Sequence, residues 1–294
     1  MFKKGFVVFL VMVFSVVLLA APAAAEFRYD YVHQVSLFIG DNEALVNGDV
    51  EVMDQAAYIK NGRTLVPFRF LGEALGAEVS WDSAARTAIL NLNDSEVKVT
   101  INSKIAYIKG NQAALDVPAE IVGGRTFIPL RFVSEALGAD VGYNGDLELV
   151  SVVLVDTYGW KDYSDTTTGD KIYYPADWTV DGSSDTFGIT SPAGSEILLT
   201  VSQDEPSDII STKTDEYSKV NFEKLEESPV DEANPDNGTA VAYMKFNPDD
   251  MEASEMCVLV VIKVEEGTFV FEMTSPITAG EEDMLVYQKM FSDL

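Results

Sequence analysis

The sequence predicts an α+β protein with two unlike parts: a strand, short helix and strand unit present twice, then a domain of antiparallel strands with two longer helices. Three observations predict it. The window Gly62–Asp82 returns 62 positions later as Gly124–Asn144, with twelve of its 21 residues identical. Apolar alternation of strand period surrounds both windows, and beyond residue 158 longer strand patterns alternate with helical ones.

The chain opens with Lys3 and Lys4, an apolar run from Phe6 to Ala20 and the small-residue stretch "APAAA". That order is the pattern of a secretory signal peptide ending at residue 25. The expectation is a secreted, extracellular protein, free or associated with a cell wall. No later segment approaches the ~20 apolar residues that a membrane span needs, so no spanning segment is expected. Cys257 is the only cysteine, which excludes an internal disulfide. Within "EMCVLVVIKV" it reads as a small buried hydrophobe.

The repeat proper takes in Val35–Glu96 and Val97 to about Tyr158, two lengths of 62 residues. Alternation such as Val97, Val99, Ile101 predicts half-buried strands, and Asn47-Gly48 and Lys109-Gly110 predict the turns between them. Gly62-Arg63 and Gly124-Arg125 read as turns entering strands. Pro67 and Pro129 suit the first turn of a helix, and Gly76 and Gly138 its left-handed stop. The apolar stripe of that helix is Phe68, Leu71, Ala74 and Leu75 in one copy and Leu130, Val133, Ala136 and Leu137 in the other. Two or three turns do not hold alone, so the helix must pack on strands. Arg69 with Glu73, and Arg131 with Glu135, stand four apart on one face and read as structural pairs. Identity fades after Asp82 and Asn144, where turns of unequal length are expected. One 62-residue piece makes a marginal core, so the duplication predicts a compact pair that buries a shared face.

"GRTLVPFRFLGEALGAEVSWD" and "GRTFIPLRFVSEALGADV" resemble the copper amine oxidase N-terminal domain, or stalk domain, found in exported proteins of Gram-positive bacteria. The resemblance covers about Val35–Tyr158 and implies tandem stalk-type units, each a small antiparallel sheet wrapped on one helix. It implies a role in attachment or spacing. The catalytic part of that family needs three histidines on copper. His33 is the single histidine, so amine oxidase activity is excluded. His33 itself, ahead of the first unit, is expected at the surface, and no metal ligand or cofactor is expected.

After a linker at 159–170, residues 171–294 form the second domain. "KIYYPADWTV", "TFGITSP" and "EILLTVS" read as strands, with turns at Pro175-Ala176-Asp177, Asp181-Gly182 and Pro192-Ala193-Gly194. Ser207-Asp208 caps a helix expected through "IISTKTDEYSKVNFEKLEE", with Ile209, Ile210, Tyr217, Val220, Phe222 and Leu225 as its apolar residues. Three strands follow, two joined at Glu266-Gly267, and a last helix from about Gly280 to Phe291 buries Met284, Leu285, Tyr287, Gln288 and Met290. This element order and the "YYPADWTV" opening resemble PsbP-like domains, which implies binding or assembly.

The whole chain carries a net charge of −28. Residues 157–294 hold 8 lysines, no arginine and 29 acids, a potential that repels nucleic acid. Nucleophile elbows, zincin motifs and phosphate loops are absent, so no catalytic residue is assigned. "DGSSD", "NPDNG" and "NPDD" are oxygen-rich but lack EF-hand spacing, and read as turns. Tyr158, Trp160 and Tyr163 crowd one junction and are the candidate ligand-binding residues. The reading is a non-catalytic envelope or extracellular protein whose partner is a cell-wall polymer or an envelope protein. Two rival readings are a wall-glycan hydrolase using carboxylates of the C-terminal domain, and a free extracellular binder of metal ions or cationic peptides.

Overall fold

The computed structural model describes residues 29–164, 171–183, 186–229, 238–245, 254–264, 267–276 and 279–291. They fall into two compact units. One is Asp30–Tyr158; the other joins Tyr29 to the described residues from Gly159 onward. The structure is mixed and mostly strand, with antiparallel sheets and few helices.

In the first unit, one copy supplies β1 (Val32–Phe38), β2 (Glu43–Val46), β3 (Asp49–Val52), β4 (Tyr58–Lys60), β5 (Arg63–Pro67), α1 (Phe68–Ala74), β6 (Glu78–Asp82) and β7 (Thr87–Leu92). The other supplies β8 (Ser95–Thr100), β9 (Ile105–Ile108), β10 (Asn111–Ala114), β11 (Glu120–Val122), β12 (Arg125–Pro129), α2 (Leu130–Leu137), β13 (Asp140–Asn144) and β14 (Leu149–Val155). The correspondence runs through β7 and β14 without a gap. Arg86 and Glu148, 62 apart, both take positive φ, so the turns after Asp82 and Asn144 are alike in place of the expected difference.

No sheet of this unit is made by one copy. The sheets run β13-β14-β1-β2-β3, β6-β7-β8-β9-β10 and β11-β12-β5-β4. Each copy therefore gives its last two strands to the other copy's sheet, which differs from one small sheet around each helix. The reason lies at the middle: β5 pairs with β12 so that Val66 faces Ile128, flanked by Leu65 with Pro129 and Pro67 with Phe127. Those are equivalent positions, so the copies meet about a local twofold, as in an isologous dimer. Two reciprocal ion pairs repeat the symmetry, Arg63 with Asp116 at 2.7 Å and Arg125 with Asp54 at 2.6 Å. Both are about half exposed, so each contributes only about 0.2–1 kcal/mol and helps mainly to hold register.

One core runs through both copies, with Leu37, Val66, Leu71 and Leu75 packed in the same cluster as Val97, Ile128, Leu130 and Val152. The four positions of the first helical stripe are buried; in the second, Leu130, Val133 and Leu137 are buried and Ala136 partly so. Pro67 and Pro129 sit one position before the helices, at their N-caps, and Gly138 closes α2 at φ 99°. Asn47-Gly48 and Lys109-Gly110 both turn with two positive φ angles, as a tight hairpin requires. His33 is half-buried in β1 where a surface position was expected. Its ring lies under Gly76, where a Cβ would come within 2.9 Å of the imidazole.

The second unit begins with a hairpin of β15 (Lys161–Ser164) and β16 (Lys171–Tyr174). Part of the expected linker is thus strand, and 165–170 lie outside the described residues. β17 (Thr179–Ser183), β18 (Thr186–Thr190), β19 (Glu196–Ser202), β20 (Glu223–Pro229), β21 (Gly238–Lys245), β22 (Glu255–Val264) and β23 (Gly267–Pro276) form a seven-stranded sheet of order β17-β18-β19-β23-β22-β21-β20. Helix α3 (Pro206–Lys219) packs Ile209 and Tyr217 on Val241, Cys257 and Leu259 of this sheet. The last helix is α4 (Gly280–Phe291), where Tyr287 and Met290 are buried and Leu285 partly so.

Two expectations change here. Asp181-Gly182 lies within β17 and not in a turn. The helix expected to reach residue 227 stops at Lys219, because Asn221 takes φ 67° and the Phe222 amide donates to the Tyr217 carbonyl at 3.0 Å. "EKLEE" then pairs with β21 as an edge strand, and Val220 and Leu225 are exposed. Sheet pairing overrides helix propensity there. Most of "NPDNG", all of "NPDD", the end of "DGSSD" and Glu266 lie outside the described residues.

Two measurements test this architecture. Leu71→Ala is expected to cost about 2–5 kcal/mol, with amide exchange rising together in β1 and β8; a loss confined to the first copy would contradict the shared core. Burial holds the His33 imidazole below its ordinary value of 6.5, against the pull of Asp156 and Asp30. A depressed group contributes stability that is present above pH 6.5 and lost as pH falls through its folded value. As His33 is the single histidine, the urea midpoint should fall between pH 7.5 and 5, and His33→Gln should flatten that slope.

Candidate functional site

Tyr158 closes the first unit and is 69% exposed, whereas Trp160 and Tyr163 belong to the second. Trp160 is partly buried. Tyr163 on β15 packs inward: its ring lies 4.5 Å from that of Phe187, and its hydroxyl fills the space above Gly182, 2.6 Å from where a Cβ would stand. The three aromatics are thus divided between the units.

A cleft of about 510 Å³ opens instead within the first unit, walled by both copies. The first copy provides Ile59, Gly62, Arg63 and Thr64; the second provides Asp116, Leu130, Arg131, Phe132, Glu135, Gly142 and Tyr143, among others. The repeated sequence builds it directly. Arg63 leaves the tight turn at Gly62, donates from Nε to Asp116 at 2.8 Å and from Nη1 to the Gly62 carbonyl at 3.1 Å. Arg131, one residue into α2, donates from Nη1 to the Val141 carbonyl at 2.9 Å and to Glu135 at 3.4 Å. The expected pairing of Arg131 with Glu135 therefore forms, with a strand carbonyl as the shorter contact. Both guanidiniums are about half exposed. Tyr143, at 48% exposure, and Ile59 present apolar surface beside them. Such a wall can hold a polar or anionic ligand by guanidinium hydrogen bonds and a ring face.

Behind β4 the charges are used up structurally. Glu120 accepts from Lys60 and from the Tyr58 hydroxyl, the latter at 2.7 Å, and the lysine hydrogen bond holds its carboxyl below the usual range. Burial and that same carboxylate push the Tyr58 phenol up. In the second unit burial pushes the Cys257 thiol up to about 11, so it stays protonated and inert. Among the described residues no group of three or more His, Cys, Asp or Glu is placed to hold a metal ion.

Tyr143 and its counterpart Trp81 were not singled out in the sequence. The signal was present: an aromatic stands at the same position of both copies, in "EVSWD" and "DVGYN". In the first copy the indole lies against Phe68, centroids 6.4 Å apart, where the second copy has Tyr143 and Leu130.

Comparison with known proteins places the first unit. The family described as copper amine oxidase N-terminal domain matches residues 32–71 and 45–152. A relative named "Protease inhibitor" from Brevibacillus choshinensis is 28% identical over 116 residues, 39% of this chain. The match spans only 34% of that relative's length. The Ran-binding protein Mog1p of Saccharomyces cerevisiae, a solved structure, aligns at 12% identity over 44% of this chain and 84% of its own, with a TM-score of 0.31 that is too low to define a shared fold. The match to amine oxidases is to their N-terminal domain and not to their catalytic one. Residues 32–152 carry the copper amine oxidase N-terminal domain.

Proposed function

We propose that this is an exported, non-catalytic protein in which two stalk-type copies form one attachment or spacing module and the acidic C-terminal unit engages a partner. The observation that carries the reading is the cleft built by both copies. It combines two positioned guanidiniums with an exposed tyrosine. Hydrogen bonds and ring stacking are what polymers of sugars and short peptides offer, so a cell-wall polymer suits it. That a relative bears the name of an inhibitor supports a role in binding rather than turnover. The first-unit cleft is preferred over Tyr158, Trp160 and Tyr163 as the binding surface because its walls belong to a single unit.

Co-sedimentation with purified Gram-positive cell wall tests this. The intact protein should pellet with the wall, and Arg131→Ala combined with Tyr143→Ala should weaken binding about tenfold or more, as loss of two central contacts does. A wild-type protein that stays in the supernatant would sink the attachment role. Pelleting that the double variant leaves unchanged would move the contact away from the cleft.

A further inference from the structure

Helix α4 buries two consecutive acids in its first turn, Glu282 at 4% exposure and Asp283 at 1%. Buried carboxylates persist where their oxygens are hydrogen-bonded. Much of that bonding comes from one residue far away in sequence. The Tyr29 backbone N–H donates to Glu282, and the Tyr29 hydroxyl donates to Asp283, whose other oxygen accepts from the Ser191 hydroxyl at 2.6 Å. The Tyr29 ring lies 6.0 Å from that of Trp178, which meets Tyr287 edge-on at 4.9 Å. Tyr29 is 5% exposed and belongs to the C-terminal unit, although the whole of Asp30–Tyr158 separates it from the other described residues of that unit.

A backbone N–H, a phenol hydroxyl and a ring face are the features by which a peptide-binding pocket reads a tyrosine. We infer that Trp178, Ser191, Glu282, Asp283 and Tyr287 form a tyrosyl-peptide recognition pocket, held in this structure by the chain's own Tyr29 and open to a tyrosine of a partner peptide. This deepens the proposed function by giving the partner of the C-terminal unit a chemical class, and rests on the reading that this unit binds one. Burial pushes the Asp283 carboxyl up, helped by the charge of Asp177, while the hydrogen bonds from Ser191, Ser195 and Tyr29 pull the other way.

The test uses the full chain and N-acetyl-tyrosine N-methylamide, which carries the same N–H, hydroxyl and ring. In Tyr29→Ala the ring and hydroxyl part of the pocket is vacant, while the residue-29 N–H still faces Glu282, and the probe should raise the melting temperature at concentrations that leave the wild type unchanged. N-acetyl-phenylalanine N-methylamide, lacking the hydroxyl, should need about tenfold more to match it. Equal response to the two probes, equal response of variant and wild type, or none in a folded variant would overturn the inference. Should Tyr29→Ala fail to fold, Tyr29→Phe decides: a self-ligand without its hydroxyl should yield to the tyrosyl probe at about tenfold lower concentration than wild type, and an identical response overturns the idea. Wall co-sedimentation reads the other unit, so either proposal can fail alone.

Discussion

Val66 and Ile128 lie opposite one another across β5 and β12, both fully out of solvent, and they are the same position of the repeated unit. A ladder that joins equivalent positions leaves each copy facing its twin, so the strands that follow each helix run on into the other copy's sheet. Helix α1 packs on β12 as well as β5, and α2 on β5 and β8 as well as β12. Neither helix has enough turns to persist without those strands. The apolar contacts that fold one copy are thus largely contacts with the other, and duplication is the condition for a core rather than an addition to one.

The same symmetry explains the site. A wall drawn from one copy's turn and the other's helix exists only because the copies interlock, and the arginines that line it are fixed by partners across that boundary or on the neighbouring strand. Departures from symmetry then carry the individuality. Where the first copy has Phe68, Ser80 and Trp81, the second has Leu130, Gly142 and Tyr143.

Local chemistry made much of the fold legible. Asn47-Gly48, Lys109-Gly110, the two Pro-to-Gly helices and the terminal helix at Gly280–Phe291 all follow from residue types whose backbone preferences are strong. The exchange of strands was not legible, because the apolar pattern of Leu149–Val155 shows which face is buried but not which neighbour covers it. "EKLEE" misled for a related reason: its helix-favouring residues are outweighed by the ladder to β21, and only Asn221 hinted at a stop. The aromatics at 158–163 were grouped by nearness in sequence, yet a unit boundary falls after Tyr158. The cleft was written in the repeat itself, but reading it required knowing that Gly62-Arg63 of one copy stands beside Arg131 of the other.

The first unit enters and leaves through neighbouring strands: Val32 pairs with Val155, and the Asp156 amide donates to the Tyr31 carbonyl at 2.7 Å. Its two ends are side by side, and the residue just before it belongs to the other unit. Interlocked copies with adjoining ends behave as a cassette, because such an insertion closes on itself and asks little of the chain that receives it. Half a cassette would be useless, since one copy alone leaves every sheet incomplete.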